Sequence, residues 1–366
     1  MKDKKINNPV ILVAPMDWGL GHATRCIPVI TKLLAYECDV IMAVSGNVRL
    51  LLQKEFPGLL CLDLRGYNIH YAPKKRGFSF ALLAQFPKIT SVIYAEHRWV
   101  KKVVKKYSID MIISDNRMGM FHAAVPSVYI THQLQIKTGN RLTEWFANKI
   151  HYWFINKFNE CWVPDNDGKI NLAGELSHPA VLPGVPVKYV GPLSRFEKYR
   201  AERKYDVAVV LSGPEPQRTI FEELILKDIE RFSGSILLVR GLPEPVPLKT
   251  YNNSSLEIHD HLGAEDLNRA ILQSGLIISR CGYSTVMDLV KLQKKAILVP
   301  TPGQTEQEYL AEYLFQHNLF CCIKQENFSL LSVLKTAEDF SFNDIALVQE
   351  DHGAVIKEFL KGIRRD

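Results

Sequence analysis

The sequence predicts an α/β protein built of two doubly wound domains that face each other across a cleft. Three observations carry this expectation. Short β-branched apolar runs alternate with helical-period segments along the chain, the pattern of parallel sheets covered on both faces. Each half holds a glycine-bearing turn that follows a strand and opens a helix, Asp17-Trp18-Gly19-Leu20-Gly21-His22-Ala23-Thr24-Arg25 and Ser279-Arg280-Cys281-Gly282-Tyr283-Ser284-Thr285. A highly charged stretch, residues 195–204, separates the halves.

The strand candidates of the first half are residues 10–14, 39–44, 59–64, 111–114, 127–131 and 160–163, with amphipathic stretches at 23–35 and 82–107. In the second half they are 206–211, 235–239, 255–258, 276–279, 296–300 and 320–323, with helices near 217–231, 264–274, 284–293, 305–317 and 327–338. The seam falls after Val190-Gly191-Pro192-Leu193, giving Rossmann-like domains over 1–195 and 203–343 and a terminal segment, 344–366, that packs back on the first domain as a helix. A charged linker between two such domains allows hinge motion and makes their cleft the expected ligand site.

Composition narrows the class. At 366 residues and 47% apolar content the chain can bury two cores of ordinary size. Its seven cysteines form no C-x-x-C pair and lie mostly in apolar runs, which points to buried reduced thiols rather than a disulfide framework or a zinc site. No stretch has eighteen consecutive apolar residues, and the run 10–14 is too short for a signal segment, so a cytoplasmic protein is expected. A net charge of +6 fits an anionic substrate or an acidic membrane surface and falls short of a case for nucleic acid.

Glycine-relieved turns at helix N-termini let backbone N–H groups approach a ligand, and the peptide dipoles there favour anions. Gly19 and Gly21 form the first turn, which is G-x-G-H and not the dinucleotide pattern G-x-G-x-x-G. His22 at the helix start either caps it or meets a sugar, a phosphate or a proton. Asp115 ends a strand in Ser114-Asp115-Asn116-Arg117, where it either makes an Asx-turn or serves as a base.

In the second half, Gly282, Ser284 and Thr285 open a helix with Asp288 about one turn further on. Such a start accommodates a diphosphate, and the carboxylate can accept ribose hydroxyls; a plain N-cap with a favourable first-turn acid is the alternative. The loop that leaves the strand 296–300 carries Glu306 and Gln307 into another helix, where they contact a sugar or solvent. Ser212 and Gly213 lie in a third strand-to-helix loop, and Arg218 just beyond reaches a phosphate or a neighbouring carboxylate.

These segments resemble the GT-B glycosyltransferases of family 28, in their MurG-like branch. The resemblance spans most of the chain and is strongest at Gly19-Leu20-Gly21-His22, at Arg280-x-Gly282-x-Ser284-Thr285-x-x-Asp288 and at residues 300–311. His132-Gln133-Leu134-Gln135 is similar to the family's H-E-Q-N on the acceptor side. The resemblance implies a GT-B fold with a UDP-sugar in the C-terminal domain. Asp288 then takes the ribose-binding acidic position, Gln307 and Glu308 the donor sugar, and Gly21 and His22 the diphosphate and acceptor. Two departures set the MurG lipid substrate itself aside: the first turn lacks G-G-x-G-G-H, and Gln133 replaces the glutamate of H-E-Q-N.

The expected reaction is transfer of a sugar, by analogy an N-acetylhexosamine, from a UDP-sugar to a glycan or lipid-linked acceptor, inverting and without a metal or other cofactor. Helix N-termini with Arg218 or Arg280 stabilise the departing diphosphate, and His22 or Asp115 removes the acceptor proton. The D-x-D tripeptide Asp165-Asn166-Asp167 sits in a Pro/Gly-bounded turn and is read as turn chemistry. Arg98, Lys101, Lys102, Lys105 and Lys106, the aromatic stretch 145–154 and Lys74-Lys75-Arg76 either dock on anionic lipid or form solvated faces. A UDP-N-acetylglucosamine 2-epimerase and a non-catalytic nucleotide-sugar-binding protein are the rival readings on the same architecture.

Overall fold

In the computed structural model, which describes residues 8–67, 86–242, 246–247, 251, 253–343 and 352–363, two sheets are present and every strand pairing within them is parallel. The described residues divide into two compact units. One holds everything up to Leu193 together with residues 352–363; the other runs from Ser194 to residue 343.

The first unit contains β1 (Val10–Pro15), β2 (Asp39–Val44), β3 (Leu60–Asp63), β4 (Met111–Asp115), β5 (Ser127–Ile130), β6 (Glu160–Val163) and β7 (Val187–Tyr189), in the order β3-β2-β1-β4-β5-β6-β7. Its helices are α1 (Leu20–Ala35), α2 (Gly46–Glu55), α3 (Phe86–Tyr107) and α4 (Arg141–Ile155). Central strands such as Val10–Pro15 are apolar on both faces because helices cover both sides of the sheet. Leu12, Ala14, Ile41, Ala43 and Ile112 meet Val100 and Val103 of α3 in one core cluster.

The second unit contains β8 (Tyr205–Val210), β9 (Ile236–Val239), β10 (Leu256–His259), β11 (Ser274–Arg280), β12 (Ala296–Val299) and β13 (Cys321–Cys322), ordered β10-β9-β8-β11-β12-β13. Its helices are α5 (Gln217–Leu226), α6 (Ala264–Leu272), α7 (Tyr283–Lys291), α8 (Thr305–Gln316) and α9 (Leu330–Asp339). Val207, Val209, Phe221, Ile225, Ile236, Ile278 and Ile297 form its core with Leu330 and Val333. Gly241, at φ +70°, lies so close to the turn after β8 that an added Cβ would stand 2.3 Å from the Leu211 carbonyl oxygen. Only glycine allows the two turns to pack there.

Several boundaries differ from the sequence expectation. Helix α1 begins at Leu20 rather than at 23, because Gly19 adopts φ 88° and turns the chain directly into the helix. The helix expected over 217–231 ends at Leu226, followed by a short 3-10 turn, Ile229–Arg231. Strand β7 and helices α2 and α4 were not anticipated; Val187–Tyr189 is only three residues long and half-buried, too short to show a period. A last helix, α10 (His352–Lys361), rests on α1 and on β6: the Tyr36 hydroxyl donates to the Gly353 carbonyl at 3.1 Å, and Phe359 meets Trp162 edge-on at 5.8 Å. Lys74-Lys75-Arg76 and the segment 344–351 lie outside the described residues. None of the seven cysteines is in a disulfide, and five of them are buried.

Candidate functional site

Both sheets change the direction of chain progression at a definite place. In the first unit the strands run outward from β1 toward β3 and from β4 toward β7, so the β1/β4 boundary is the switch point; in the second it is β8/β11. In open α/β sheets the loops that leave the C-terminal ends of the two strands at such a point diverge, which makes it the general ligand position. In the first unit the register pairs Pro15 with Asp115, which sets the glycine turn after β1 beside the end of β4.

Six predicted or neighbouring residues converge at that point: His22, Arg25, Cys26, Asp115, Asn116 and His132. Asp115 is fully buried. Its Oδ2 accepts from Arg25 Nε at 2.6 Å and from the Cys26 thiol at 3.6 Å; its Oδ1 meets a second Arg25 nitrogen and lies 3.1 Å from His22 Nδ1. Arg25, one helical turn after His22, also approaches His22 Nδ1 with Nη2 at 2.8 Å and His132 Nδ1 with Nη1 at 3.0 Å. Asn116, at φ 57°, turns the chain out of β4, and with its amide oriented by this network it donates to Thr131 Oγ1 at 2.9 Å and accepts from Arg25 Nη2 at 3.3 Å.

The electrostatics follow from this enclosure. Burial alone would raise the Asp115 carboxyl, but Arg25 and then His22 outweigh it and hold it well below the usual carboxylate range. Burial, and then the Arg25 guanidinium, pull the His22 imidazole below its ordinary value against the opposing pull of Asp115. Asp115 therefore lacks both the access and the proton affinity of a direct base, which corrects that half of the expectation. His22, with 15% of its side chain exposed, keeps a neutral ring at the surface of the turn. Gly19 and Gly21 flank it in the turn and first helical residues.

A second buried network, which the sequence reading missed, fixes the turn from behind. Arg117, fully buried, donates from Nε to the Pro15 carbonyl at 2.7 Å, from Nη1 to Glu96 Oε1 at 2.7 Å and from Nη2 to Asp17 Oδ1 at 3.2 Å. Glu96 Oε2 in turn accepts from the Tyr67 hydroxyl at 3.0 Å and the Gly119 amide at 3.1 Å. The only sequence signal was an acid on the apolar side of α3, four residues before Val100.

The second unit gathers its predicted residues at the β8/β11 switch point. Ser212 and Gly213 are exposed just after β8, and Gly213 has φ 106°. Gly282 is the N-cap of α7 and brings no side chain to the turn, with Ser284 and Thr285 half-buried in its first residues. Across β12, the Gln307 side chain accepts from the Thr301 amide at 2.8 Å and donates to Gln304 Oε1 at 2.6 Å, while Glu308 accepts from the Gly303 amide at 2.9 Å. These two side chains shape the loop 301–304, and Glu306 stands half-buried beside them in the first turn of α8.

The two arginines differ from expectation. Arg218 is committed to its own helix: it donates to Glu215 at 2.5 Å, to Glu222 at 2.9 Å and to Thr219 at 2.6 Å, and Glu222 also pairs with buried Arg240. A guanidinium with these partners is not placed to meet a phosphate. Arg280 is likewise buried, donating to the Gln217 carbonyl at 2.6 Å and lying 4.3 Å over the Phe221 ring. Yet among the described residues no carboxylate pairs with it, its Nε and the neighbouring Thr301 Oγ1 have no hydrogen-bond partner, and burial pushes its pKa down to about 10. Its positive charge thus bears on the β11 turn without touching solvent.

Asp288 is half-buried one turn into α7 and accepts from the Ser194 hydroxyl at 2.5 Å. Burial raises its carboxyl to about 7, against the weaker opposing effects of Ser194 and Arg195. Asp165, of the D-x-D tripeptide, is fully buried and accepts from the amides of Asn166, Leu172 and Ala173 and from the Ser177 hydroxyl, which is turn chemistry. Among the described residues, no group of three or more His, Cys, Asp or Glu side chains is arranged to hold a metal ion.

Two parallel α/β units, each with its polar constellation at the switch point, define a GT-B architecture, and comparison with known proteins agrees. Residues 220–365 match the glycosyltransferase family 28 C-terminal domain. Over 322 residues the chain is 23% identical to the UDP-N-acetylglucosamine--N-acetylmuramyl-(pentapeptide) pyrophosphoryl-undecaprenol N-acetylglucosamine transferase of Clostridium tetani (strain Massachusetts / E88), covering 84% of this chain and 82% of that protein. Among solved structures it is similar to the calicheamicin glycosyltransferase CalG4 (TM-score 0.65, 12% identical, 98% of this chain and 100% of that one). It is also similar to MurG of Acinetobacter baumannii (TM-score 0.54, 14% identical, 98% and 99%). Residues 220–365 thus match a family 28 C-terminal domain, and the chain as a whole is similar to the MurG-type glycosyltransferases.

Asp288 yields a direct test of the electrostatics. The fold holds its proton more tightly than the unfolded chain, whose carboxyl ionises near pH 4. Ionisation therefore costs the native state progressively more as pH rises from about 4 to about 7, and a constant amount above. In thermal unfolding, Asp288→Asn should raise Tm at pH 8, with the gain shrinking as pH falls from 7 toward 4. A difference independent of pH contradicts the assignment.

Proposed function

We propose that the protein transfers a sugar, an N-acetylhexosamine, from its UDP conjugate to a hydroxyl of a glycan or lipid-linked acceptor, with inversion and without a metal. The observation that carries this reading is the His22–Asp115 pair at the β1/β4 switch point, a neutral imidazole backed by a buried carboxylate. With Nδ1–H donated to Asp115, the lone pair of His22 Nε2 is available to take the acceptor hydroxyl's proton as that oxygen attacks the anomeric carbon. Asp115 orients the ring and stabilises the imidazolium; it does not take the proton. His132, held through Arg25, lies on the acceptor side.

In the second unit, the amides at the starts of α7 and of the loop after β8, with Ser212, Gly213, Gly282, Ser284 and Thr285, take the departing diphosphate, and helix dipoles stabilise its charge. Arg280 contributes from beneath through its unpaired charge, and Arg218 braces the helix rather than the ligand. Asp288 receives the ribose hydroxyls, and Glu306, Gln307 and Glu308 border the donor sugar. The transfer needs no cation in this scheme because backbone and Arg280 oppose the leaving charge.

We further propose that the first unit docks on an anionic membrane, where a lipid-linked acceptor resides. Trp145, Phe146 and Trp153 of α4 are each more than half exposed, with Lys149 and Lys157 set 4.9 and 4.7 Å over the Trp145 and Trp153 rings. Phe154 of α4 packs in one cluster with Val92 and Ile93 of α3, so the exposed cations Arg98, Lys101, Lys102, Lys105 and Lys106 belong to the neighbouring helix. Exposed aromatics beside a basic helix match the interfacial pattern. No described helix is long and apolar enough to cross a membrane.

A panel of nucleotides scored by thermal shift tests the donor assignment: UDP should raise Tm above ADP, GDP and NAD, and Asp288→Ala should erase the preference. Turnover of UDP-N-acetylglucosamine, read as UDP release, should rise with pH and level off below the ordinary imidazole value of about 6.5, because only neutral His22 accepts a proton. A preference for another nucleotide, or an acid limb that survives His22→Ala, overturns the scheme. For the membrane, sedimentation with phosphatidylglycerol vesicles should exceed that with phosphatidylcholine and fall when Trp145 and Trp153 are replaced by serine; equal binding to both contradicts it.

A further inference from the structure

Arg25 takes no proton in the chemistry just described, yet it touches Asp115, His22 and His132 at once. It is 2% exposed, and its three guanidinium nitrogens reach Asp115, His22 and His132. A buried carboxylate requires a counter-charge, since an ion left unpaired in a low-dielectric interior is strongly unfavourable. Two cations can fill that role here, the Arg25 guanidinium and a protonated His22. Only one is needed.

We propose that Arg25 is the positioning residue of this site: by neutralising Asp115 it frees His22 from acting as the carboxylate's counterion and so keeps the imidazole neutral and able to accept a proton. This rests on the reading of His22 as the base given above. The geometry also assigns Arg25 control of the tautomer. His22 Nδ1 lies 2.8 Å from Arg25 Nη2 and 3.1 Å from Asp115 Oδ1, and it cannot accept from one and donate to the other at once. Donation to Asp115 leaves Nε2 with a lone pair, the base-competent form; acceptance from Arg25 puts the proton on Nε2. The engagement of Arg25 with Asp115 through Nε and Nη2, and with His132 through Nη1, therefore decides how much of its hydrogen-bonding remains for His22. The described groups that face the imidazole are Arg25 on its own helix, Asp115 at the end of β4 and His132 after β5, with the Cys26 thiol on the far side of the carboxylate.

The test reads the ring directly. In the full chain, two-bond 1H–15N correlation spectra of the histidine side chains, assigned by His22→Gln, give both the titration midpoint and the tautomer of His22. Arg25→Gln should raise its proton affinity at least about tenfold, as the carboxylate recruits imidazolium in place of guanidinium. Arg25→Lys, which restores the charge, should return the midpoint most of the way. Arg25→Gln combined with Asp115→Asn, which removes both charges, should do the same, and it keeps the test valid if the single variant folds poorly. The acid limb of UDP release should move up in pH with the NMR midpoint. An unchanged midpoint in folded Arg25→Gln, or failure of both the lysine and the double variant to reverse the rise, overturns the proposal. A midpoint that moves as expected while the acid limb stays in place upholds the role of Arg25 and instead removes His22 as the base.

Discussion

The buried ion pair between Arg25 and Asp115 is the interaction on which the first unit's site depends. It joins the first turn of α1 to the end of β4, two segments ninety residues apart that lie next to each other only because β1 and β4 are the adjacent central strands of the sheet. Removing one partner of such a pair costs on the order of 3–5 kcal/mol, since the other charge remains buried. A protein retains an arrangement so sensitive where its geometry does something more than stabilise. Here it holds a histidine at a switch point by Nδ1, which faces Asp115 and Arg25, and burial with the guanidinium lowers the ring's proton affinity.

Around that pair the chain builds rigidity in layers. Arg117 and Glu96 clamp the turn through the Pro15 carbonyl and Asp17, so the backbone that carries Gly19 is held from the core side while its outer side stays exposed. In the second unit the same division appears with other residues. Arg218, Glu222 and Arg240 form the buried support, and glycine and hydroxyl residues occupy the turns. In both units the strongly charged side chains hold the loops in place, and the groups proposed to meet the ligand are backbone, hydroxyl, imidazole and a partly exposed carboxylate. Asp288 is the exception in that it is both buried enough to resist ionisation and turned toward a hydroxyl, that of Ser194, of the kind a ribose would offer.

Much of this fold was legible in the sequence because doubly wound sheets write their strands as continuous apolar runs. All six strands of the second sheet and six of the seven in the first sit where the runs predicted. What escaped was short, weakly patterned or read as something else: α4 stood in the sequence only as an aromatic stretch. Val187–Tyr189 is an edge strand of three half-buried residues, and α2 is an amphipathically weak helix with two buried side chains. The candidate site was legible in part: glycine turns and polar residues at strand ends do gather at the two switch points, since those features are local. Arg25, Arg117 and Glu96 did not announce themselves, because a buried ion pair is defined by the partner, and each partner lies 21 to 100 residues away. For the same reason Arg218 invited a phosphate contact from sequence while the fold supplies Glu215 and Glu222 within one turn.

The central claim is that His22 and Asp115 act as one unit, the imidazole accepting the proton and the carboxylate working only through it. A double-mutant cycle on the rate of UDP release from UDP-N-acetylglucosamine, comparing His22→Ala, Asp115→Asn and the two together, measures this directly. The account predicts that once His22 is gone, changing Asp115 costs nothing further, so that the double variant is no slower than His22→Ala alone. Losses that multiply would mean that the two residues act independently, and would contradict it.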